Sequence, residues 1–238
     1  MDQGGPERLW LVRHGQSAGN IARDAARAAR LGRIDLDARD VDVDLSAKGE
    51  EQASFVGRWF AGSPPDDRPE IILTSPYLRA ARTAQLIAAA GALTAPIIAD
   101  ERLREREFGV LDGLTGSGIR ELHPDQASAR RTLGKFYYRP PGGESWCDVI
   151  LRLRSLMDTL SLHHAGARVL IVTHQVVVLC LRYLLENLDE AGILAIDRQG
   201  DVLNCAITDY RLDRAAGRLA LDRYNFACAQ PAPAAAGG

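Results

Sequence analysis

The chain has 238 residues, of which 46% are hydrophobic and 25% are charged, and its formal net charge at pH 7 is -2. This length is enough for one α/β domain with a large core, and no interior linker rich in proline, glycine and serine divides it. The weak net charge gives no general attraction for nucleic acid or for a membrane surface. We therefore expect neither as a partner, and any anion-binding site must be local.

The ends of the chain and its cysteines predict a cytoplasmic protein. Residues 1–6 lack the basic and apolar regions of a secretory signal, and no apolar run approaches the length of a membrane span. The four cysteines are scattered without a C-x-x-C pair, which favours reduced thiols over a disulfide framework or a zinc site. We expect one domain over residues 1–228 and a disordered tail over residues 229–238.

Short apolar runs alternate with helical patterns along the chain. Strands are predicted at residues 9–12, 71–74, 96–99 and 169–173, with an antiparallel pair at residues 204–212 and 218–226. Helices are predicted at residues 17–31, 46–61, 77–90, 144–163 and 175–188. This order predicts an α/β fold in which a central, mostly parallel sheet lies between two helical layers.

The remaining stretches are less regular. Residues 35–44 alternate acidic and apolar side chains, as a polar loop or a short edge segment would, and residues 109–118 hold four glycines, which is typical of a loop. Residues 123–141 show no clear period. The stretch 22–40 has three possible roles, as a cap over a site, a contact between subunits or surface decoration, and the arginines from Arg23 onward are expected on a solvated face.

Cationic and imidazole side chains follow the predicted strands. Arg13 and His14 end the first strand, His174 ends the strand at residues 169–173, and Arg79 follows the strand at residues 71–74. Ligands of open α/β sheets bind at the carboxyl ends of the strands, so these groups are expected to meet in an anion pocket. A neutral imidazole is a nucleophile, and guanidinium groups bind two phosphate oxygens at once, which together favour phosphoryl transfer.

Ordered blocks of residues resemble a known family at this point. Leu11 to Ser17 reads L-V-R-H-G-Q-S, and it is followed by D-x-x-L-S-x-x-G at residues 42–49 and S-x-x-x-R-A-x-x-T-A at residues 75–84. L-x-E-x-x-x-G at residues 103–109, G-E-S at residues 143–145 and V-x-H at residues 172–174 complete the series. The set resembles branch 1 of the histidine phosphatase superfamily, which implies a phosphoglycerate mutase-like fold.

The resemblance also implies catalytic roles. His14 would be the nucleophile that becomes phosphohistidine, with His174 beside it as a second catalytic imidazole. Glu105 would protonate the leaving alcohol and then take a proton from the attacking water. The arginines and the imidazole would supply the positive charge, so neither a metal nor another cofactor is expected.

The same resemblance implies a set of phosphate ligands. Arg13 and Arg79, together with His174, would hold the phosphoryl oxygens. Asn20 would donate from its amide, and Gln175 would face the pocket with its side chain or its main-chain amide. We expect a small phosphorylated substrate as the partner, while the sequence leaves the oligomeric state and the identity of the ester open.

Three functions compete. A phosphatase is favoured because the connection between Gly109 and Gly143 lacks the extended substrate-binding insertion of the mutases. A cofactor-dependent phosphoglycerate mutase is the alternative, since Arg130 and Arg131 resemble that group's paired arginines. A binding module without catalysis is the third, but it would be expected to lose His14 or Glu105.

A rim that contacts the organic part of the substrate is expected near the loop at residues 137–143. Tyr137 and Tyr138 offer aromatic surface there, and Arg139 offers a cation for a second anionic group.

Overall fold

The computed structural model describes residues 5–228. The tail predicted at residues 229–238 lies outside the described residues. Six strands form the sheet: β1 Arg8–Arg13, β2 Ile71–Thr74, β3 Ile97–Ala99, β4 Arg168–Thr173, β5 Ile207–Asp213 and β6 Arg218–Phe226. The helices of the described part are α1 Ala18–Ala28, α2 Ala47–Ala61, α3 Leu78–Gly91, α4 Gly116–Leu122, α5 Pro124–Tyr137, α6 Trp146–His163, α7 Gln175–Leu185 and α8 Glu190–Gln199.

The sheet is mixed, with the strand order β3-β2-β4-β1-β5-β6. Three pairs are parallel: β1 with β4, β4 with β2, and β2 with β3. Strand β5 is antiparallel to β1, and β6 is antiparallel to β5. Strand β1 lies between β4 and β5, and its six residues are all buried. The predicted α/β fold class and the antiparallel pair at the end of the chain are confirmed.

Side chains of β1 alternate between two hydrophobic clusters, one on each face of the sheet. Leu9 and Leu11 pack with α6 and α7 on one face, and Trp10 and Val12 pack with α2 and α3 on the other. This alternation follows from the period of two in a strand. The sheet therefore lies between two helical layers, as the sequence predicts.

Helices α2 and α3 approach each other closely at a pair of glycines. A Cβ atom added to Gly57 would lie 2.6 Å from the main-chain oxygen of Ile87, and one added to Gly91 would lie 2.9 Å from the main-chain oxygen of Gly57. Only residues without a side chain permit this separation. The pair lets α3, which carries Arg79, pack directly against α2.

Three helices have no counterpart in the sequence prediction. Helix α4 begins inside the stretch 109–118 that is predicted as a loop, and it buries only Gly118. Helix α5 covers most of the irregular stretch at residues 123–141 and buries only Phe136, and helix α8 buries only Ile193. A helix with one buried residue has no apolar stripe, so its period is not visible in the sequence. Within residues 5–228, no helix is both long enough and apolar enough to cross a membrane.

Candidate active site

A cavity of about 540 Å³ lies at the carboxyl ends of the central strands. Strands β1 and β4 are parallel and in register, with Arg13 opposite Thr173, so the residues that follow them emerge side by side. The main-chain amide of His14 donates to the oxygen of Thr173 at 2.8 Å. The rings of His14 and His174 have centroids 5.1 Å apart. The two imidazoles predicted to meet therefore do so.

His14 is held in one tautomer. Its Nδ1 lies 2.7 Å from the main-chain oxygen of Gly15, and because a carbonyl oxygen only accepts, Nδ1 carries the proton. Burial, followed by the guanidiniums of Arg79 and Arg13, lowers the pKa of His14 well below its usual 6.5. The ring is thus neutral at pH 7, with the lone pair on Nε2. That is the state a nucleophilic imidazole requires.

His174 is fully buried beside it. Its Nε2 is 2.8 Å from Oγ of Ser75, while its Nδ1 is buried and has no hydrogen-bond partner in the described part of the chain. Burial, the Arg79 guanidinium and His14 lower the pKa of His174 well below its usual range. When Ser75 donates to Nε2, Nδ1 carries a proton with nothing to receive it. An anionic ligand would satisfy such a donor.

Two buried guanidiniums line the cavity with His14. Arg13 is 4% exposed, and its Nη1 donates to the main-chain oxygen of Val202. Its Nε is buried and has no partner among residues 5–228. Arg79 is 5% exposed, and both of its terminal nitrogens donate to Asp40. Arg13 and Arg79 thus bring two positive charges to the nucleophile.

Glu105 lines the same cavity from the loop that precedes α4. Its Oε1 accepts from the main-chain amide of Arg106 at 2.8 Å. Burial raises the pKa of Glu105 above its usual 4.5, although that amide and the guanidiniums of Arg79 and Arg13 oppose the rise. A carboxyl group with a raised pKa holds a proton that it can donate to a leaving oxygen.

Asn20 and Gln175 both line the cavity, with different hydrogen bonding. Oδ1 of Asn20 accepts from the main-chain amide of Ser17 at 3.1 Å and from Nδ2 of Asn204 at 3.2 Å. The side-chain Nδ2 of Asn20 is left to donate elsewhere. Nε2 of Gln175 already donates to Asp201 at 2.9 Å. One of the two side-chain N–H donors of Gln175 is therefore engaged.

Of the three residues predicted for the rim, Tyr138 alone is among those that line the cavity. Tyr138 has extended backbone angles, so its neighbours in the chain face away from it. The ring of Tyr137 is packed on Phe136 and is 55% exposed. The Arg139 side chain is 66% exposed and lies 3.9 Å from Asp148. Tyr137 and Arg139 therefore lie outside the set of residues that line the cavity.

Residues 32–40, which we call the wall segment, form one side of the cavity. Ile34, Leu36, Ala38 and Asp40 line it, while the odd-numbered residues between them are exposed. The amide of Ile34 donates to the oxygen of Gly113 at 2.8 Å and so ties the segment to the loop before α4. The alternation of acidic and apolar residues that begins at residue 35 is the sequence pattern that corresponds to this wall. Of the stretch 22–40, the wall segment thus contributes to the cavity.

Helix α1 presents a cationic face to the cavity. Asn20, Arg23 and Arg27 line it at helical spacing, and Arg23 lies 4.0 Å from Asp201. Arg27 is exposed, as expected of a solvated face, and Arg23 is half-buried, so both reach the cavity from its open side. Sequence reasoning missed Asp40, Ser75 and Asn204, whose partners are distant in the chain.

Residues 9–226 match the family model described as histidine phosphatase superfamily (branch 1). The chain is 30% identical over 214 residues to the bifunctional protein Rv2228c of Mycobacterium tuberculosis (strain ATCC 25618 / H37Rv), covering 90% of this chain and 53% of that protein. It is 33% identical over 180 residues to a 6-phosphofructo-2-kinase/fructose-2,6-bisphosphatase of Caenorhabditis elegans, covering 74% of this chain and 33% of that protein. The chain spans about half, or less, of the length of these curated relatives.

A solved structure shares the fold over nearly its whole length. The mycobacterial glucosyl-3-phosphoglycerate phosphatase Rv2419c, in complex with VO3, is 26% identical to this chain. The match has a TM-score of 0.69 and covers 92% of this chain and 99% of that chain.

Proposed function

We propose, because this chain belongs to the histidine phosphatase superfamily, that it hydrolyses the phosphate monoester of a small metabolite through a phosphohistidine on His14. The observation that carries the proposal is the state of His14. It is buried, neutral and fixed by the Gly15 oxygen, with its Nε2 lone pair free. We also propose that the described residues act as one domain and that the protein works in the cytoplasm, on the sequence grounds given above.

In the first half-reaction, Nε2 of His14 attacks phosphorus and the bond between phosphorus and the ester oxygen breaks. Glu105 donates its proton to that oxygen, which leaves as an alcohol. Arg13 and Arg79 compensate the charge of the phosphoryl oxygens, and the unpartnered Nδ1 of His174 donates to one of them.

In the second half-reaction, water attacks the phosphorus of phosphohistidine. Glu105 is now a carboxylate and takes the proton of that water, while the nitrogen–phosphorus bond breaks and its electron pair returns to Nε2. The products are inorganic phosphate and a neutral His14 ready for another cycle. One carboxyl group serves both steps, which agrees with a pKa raised by burial and restrained by two guanidiniums.

A phosphoglycerate mutase is the second candidate, and the position of Arg130 is compatible with it. Arg130 lines the cavity near the buried Arg106, whereas Arg131 does not line it. Two guanidiniums at this wall would bind a second anionic group, which a mutase needs to retain its bisphosphorylated intermediate. The same pair would equally hold the second anionic group of a phosphatase substrate.

Trapping the intermediate tests the proposal. Quenching turnover of a ³²P-labelled ester in base is expected to leave acid-labile label on the wild-type protein and none on His14→Ala, with His163→Ala as an exposed-histidine control. Absence of label during active turnover would refute the phosphohistidine step. An isomerisation assay with 3-phosphoglycerate, primed with 2,3-bisphosphoglycerate, separates the candidates: a mutase interconverts the isomers, and a phosphatase releases phosphate.

A further inference from the structure

Asp40 occupies the guanidinium of Arg79, the group that is proposed to bind the phosphoryl oxygens. Nη1 of Arg79 donates to the main-chain oxygen of Asp40, and Nη2 donates to Oδ2 of Asp40 at 3.1 Å. Both terminal nitrogens of the fork therefore face one residue. These are the two donors that a bidentate grip on phosphate oxygens uses.

Asp40 reaches this position because it ends the wall segment. The segment is extended, and its even-numbered residues face the cavity up to Asp40, which begins a short 3₁₀ turn at Asp40–Asp42. The Asp40 side chain is 44% exposed, whereas that of Arg79 is 6% exposed. The carboxylate is thus on the open side of the pair, and the guanidinium is on the buried side.

A phosphate dianion and the Asp40 carboxylate cannot share this fork without repulsion, since like charges within a few ångströms disfavour each other. We propose that Asp40 is a positioning residue that competes with phosphate for Arg79, holding the guanidinium in place between turnovers and helping to expel inorganic phosphate after hydrolysis. This deepens the proposed phosphatase function and rests on it. No other carboxylate in the described part of the chain forms an ion pair with Arg79.

The chain supplies a matched control for this charge. Asp42 lies two residues away on the same turn, its side chain is 54% exposed, and its Oδ2 accepts from an arginine, Arg39, at 2.7 Å. Asp42 does not line the cavity. Asp40→Asn and Asp42→Asn change the net charge equally, but only Asp40→Asn removes an anion from Arg79.

Binding of inorganic phosphate, measured by calorimetry, is the primary test. In Asp40→Asn the dissociation constant is expected to fall about tenfold, the effect of losing one charge-assisted hydrogen bond that competes with the ligand. Asp42→Asn is expected to bind as the wild type does. Asp40→Ala lacks even the neutral side-chain oxygen that Asp40→Asn retains, so it should bind phosphate at least as tightly as Asp40→Asn. Asp40→Glu returns the negative charge and should restore weak binding.

A double-mutant cycle ties the effect to Arg79. In the Arg79→Ala background, Asp40→Asn is expected to change the dissociation constant by about twofold or less, as a distant surface charge would. During turnover, the inhibition constant of phosphate should fall in Asp40→Asn without a rise in kcat, a split that loss of folding would not produce.

Three outcomes would overturn the proposal. They are phosphate binding in Asp40→Asn that is equal to or weaker than in the wild type, the same tightening in Asp42→Asn, and a tightening that persists when Arg79 is absent. Calorimetry needs no turnover, so a protein that hydrolyses no ester would contradict the proposed function while the binding arm still decided the role of Asp40.

Discussion

Arg152 and Glu144 form an ion pair beneath the loop that carries Glu105. Nε of Arg152 donates to Oε1 of Glu144 at 3.0 Å, and their side chains are 11% and 13% exposed. Nη2 of Arg152 also donates to the main-chain oxygens of Arg104 and Glu105 at 2.9 and 3.3 Å. The pair therefore fixes the backbone on both sides of the carboxyl group proposed as the acid and base.

Glu144→Gln is expected to lower the free energy of unfolding by about 3 kcal/mol, because it leaves the Arg152 guanidinium buried without a counter-ion. It should also lower kcat, since the loop of Glu105 loses its anchor. Denaturant unfolding and steady-state kinetics check both effects. Glu121→Gln, on the exposed face of α4, is the control and should change neither.

Glu105→Gln is expected to reduce kcat by a factor of about 10²–10⁴, because it removes proton transfer to the leaving oxygen. The loss of kcat/KM, which reports the first half-reaction, should be smallest for a p-nitrophenyl ester, whose leaving group departs without a proton, and largest for an alkyl phosphate. Comparing the two substrates in the wild type and the variant checks the role. Equal losses on both would show that Glu105 does not act as the acid in the first step.

Stability should fall as the pH drops below 6.5. His14 and His174 both have a pKa in the folded state that is lowered well below that usual value, so the unfolded chain binds more protons below pH 6.5. Each histidine contributes a slope of up to about 1.4 kcal/mol per pH unit until the folded pKa is reached. Glu105, whose pKa is raised, opposes this slope above pH 4.5.

Urea unfolding between pH 5 and pH 7.5 checks this dependence. A His14→Asn, His174→Asn double variant keeps Glu105 and should show a flatter profile over the same range. A profile as steep as that of the wild type would mean that other groups cause the loss of stability.

Gly57→Ala is expected to destabilise the fold by about 1–3 kcal/mol, because the new methyl group meets the backbone oxygen of Ile87 rather than a movable side chain. Gly62→Ala, where the nearest atom is 3.6 Å away, is the matched control. Thermal unfolding of both variants distinguishes close helix packing from a general effect of replacing glycine. Similar melting temperatures for the two variants would contradict this account of the α2–α3 contact.

The sequence predicts what depends on neighbours in the chain. The apolar run of β4 and the imidazole after it are readable because burial and strand position are local patterns. The position of Asp40 is different, since its partner Arg79 is brought to it by the path of the wall segment across the cavity. Likewise, Tyr138 and Tyr137 are chemically similar neighbours, and only the backbone angles at the end of α5 decide which of them is buried.

The placement of β1 has a consequence for synthesis. This strand is translated before the other strands of the sheet, yet its partners are β4 and β5, which are translated after residue 167. A nascent chain that holds only the early strands has the nucleophile but lacks the walls that bury and neutralise it. Long-range pairing of this kind is slow and comes late, so reactivity at residue 14 would arise only after β4 and β5 have been made.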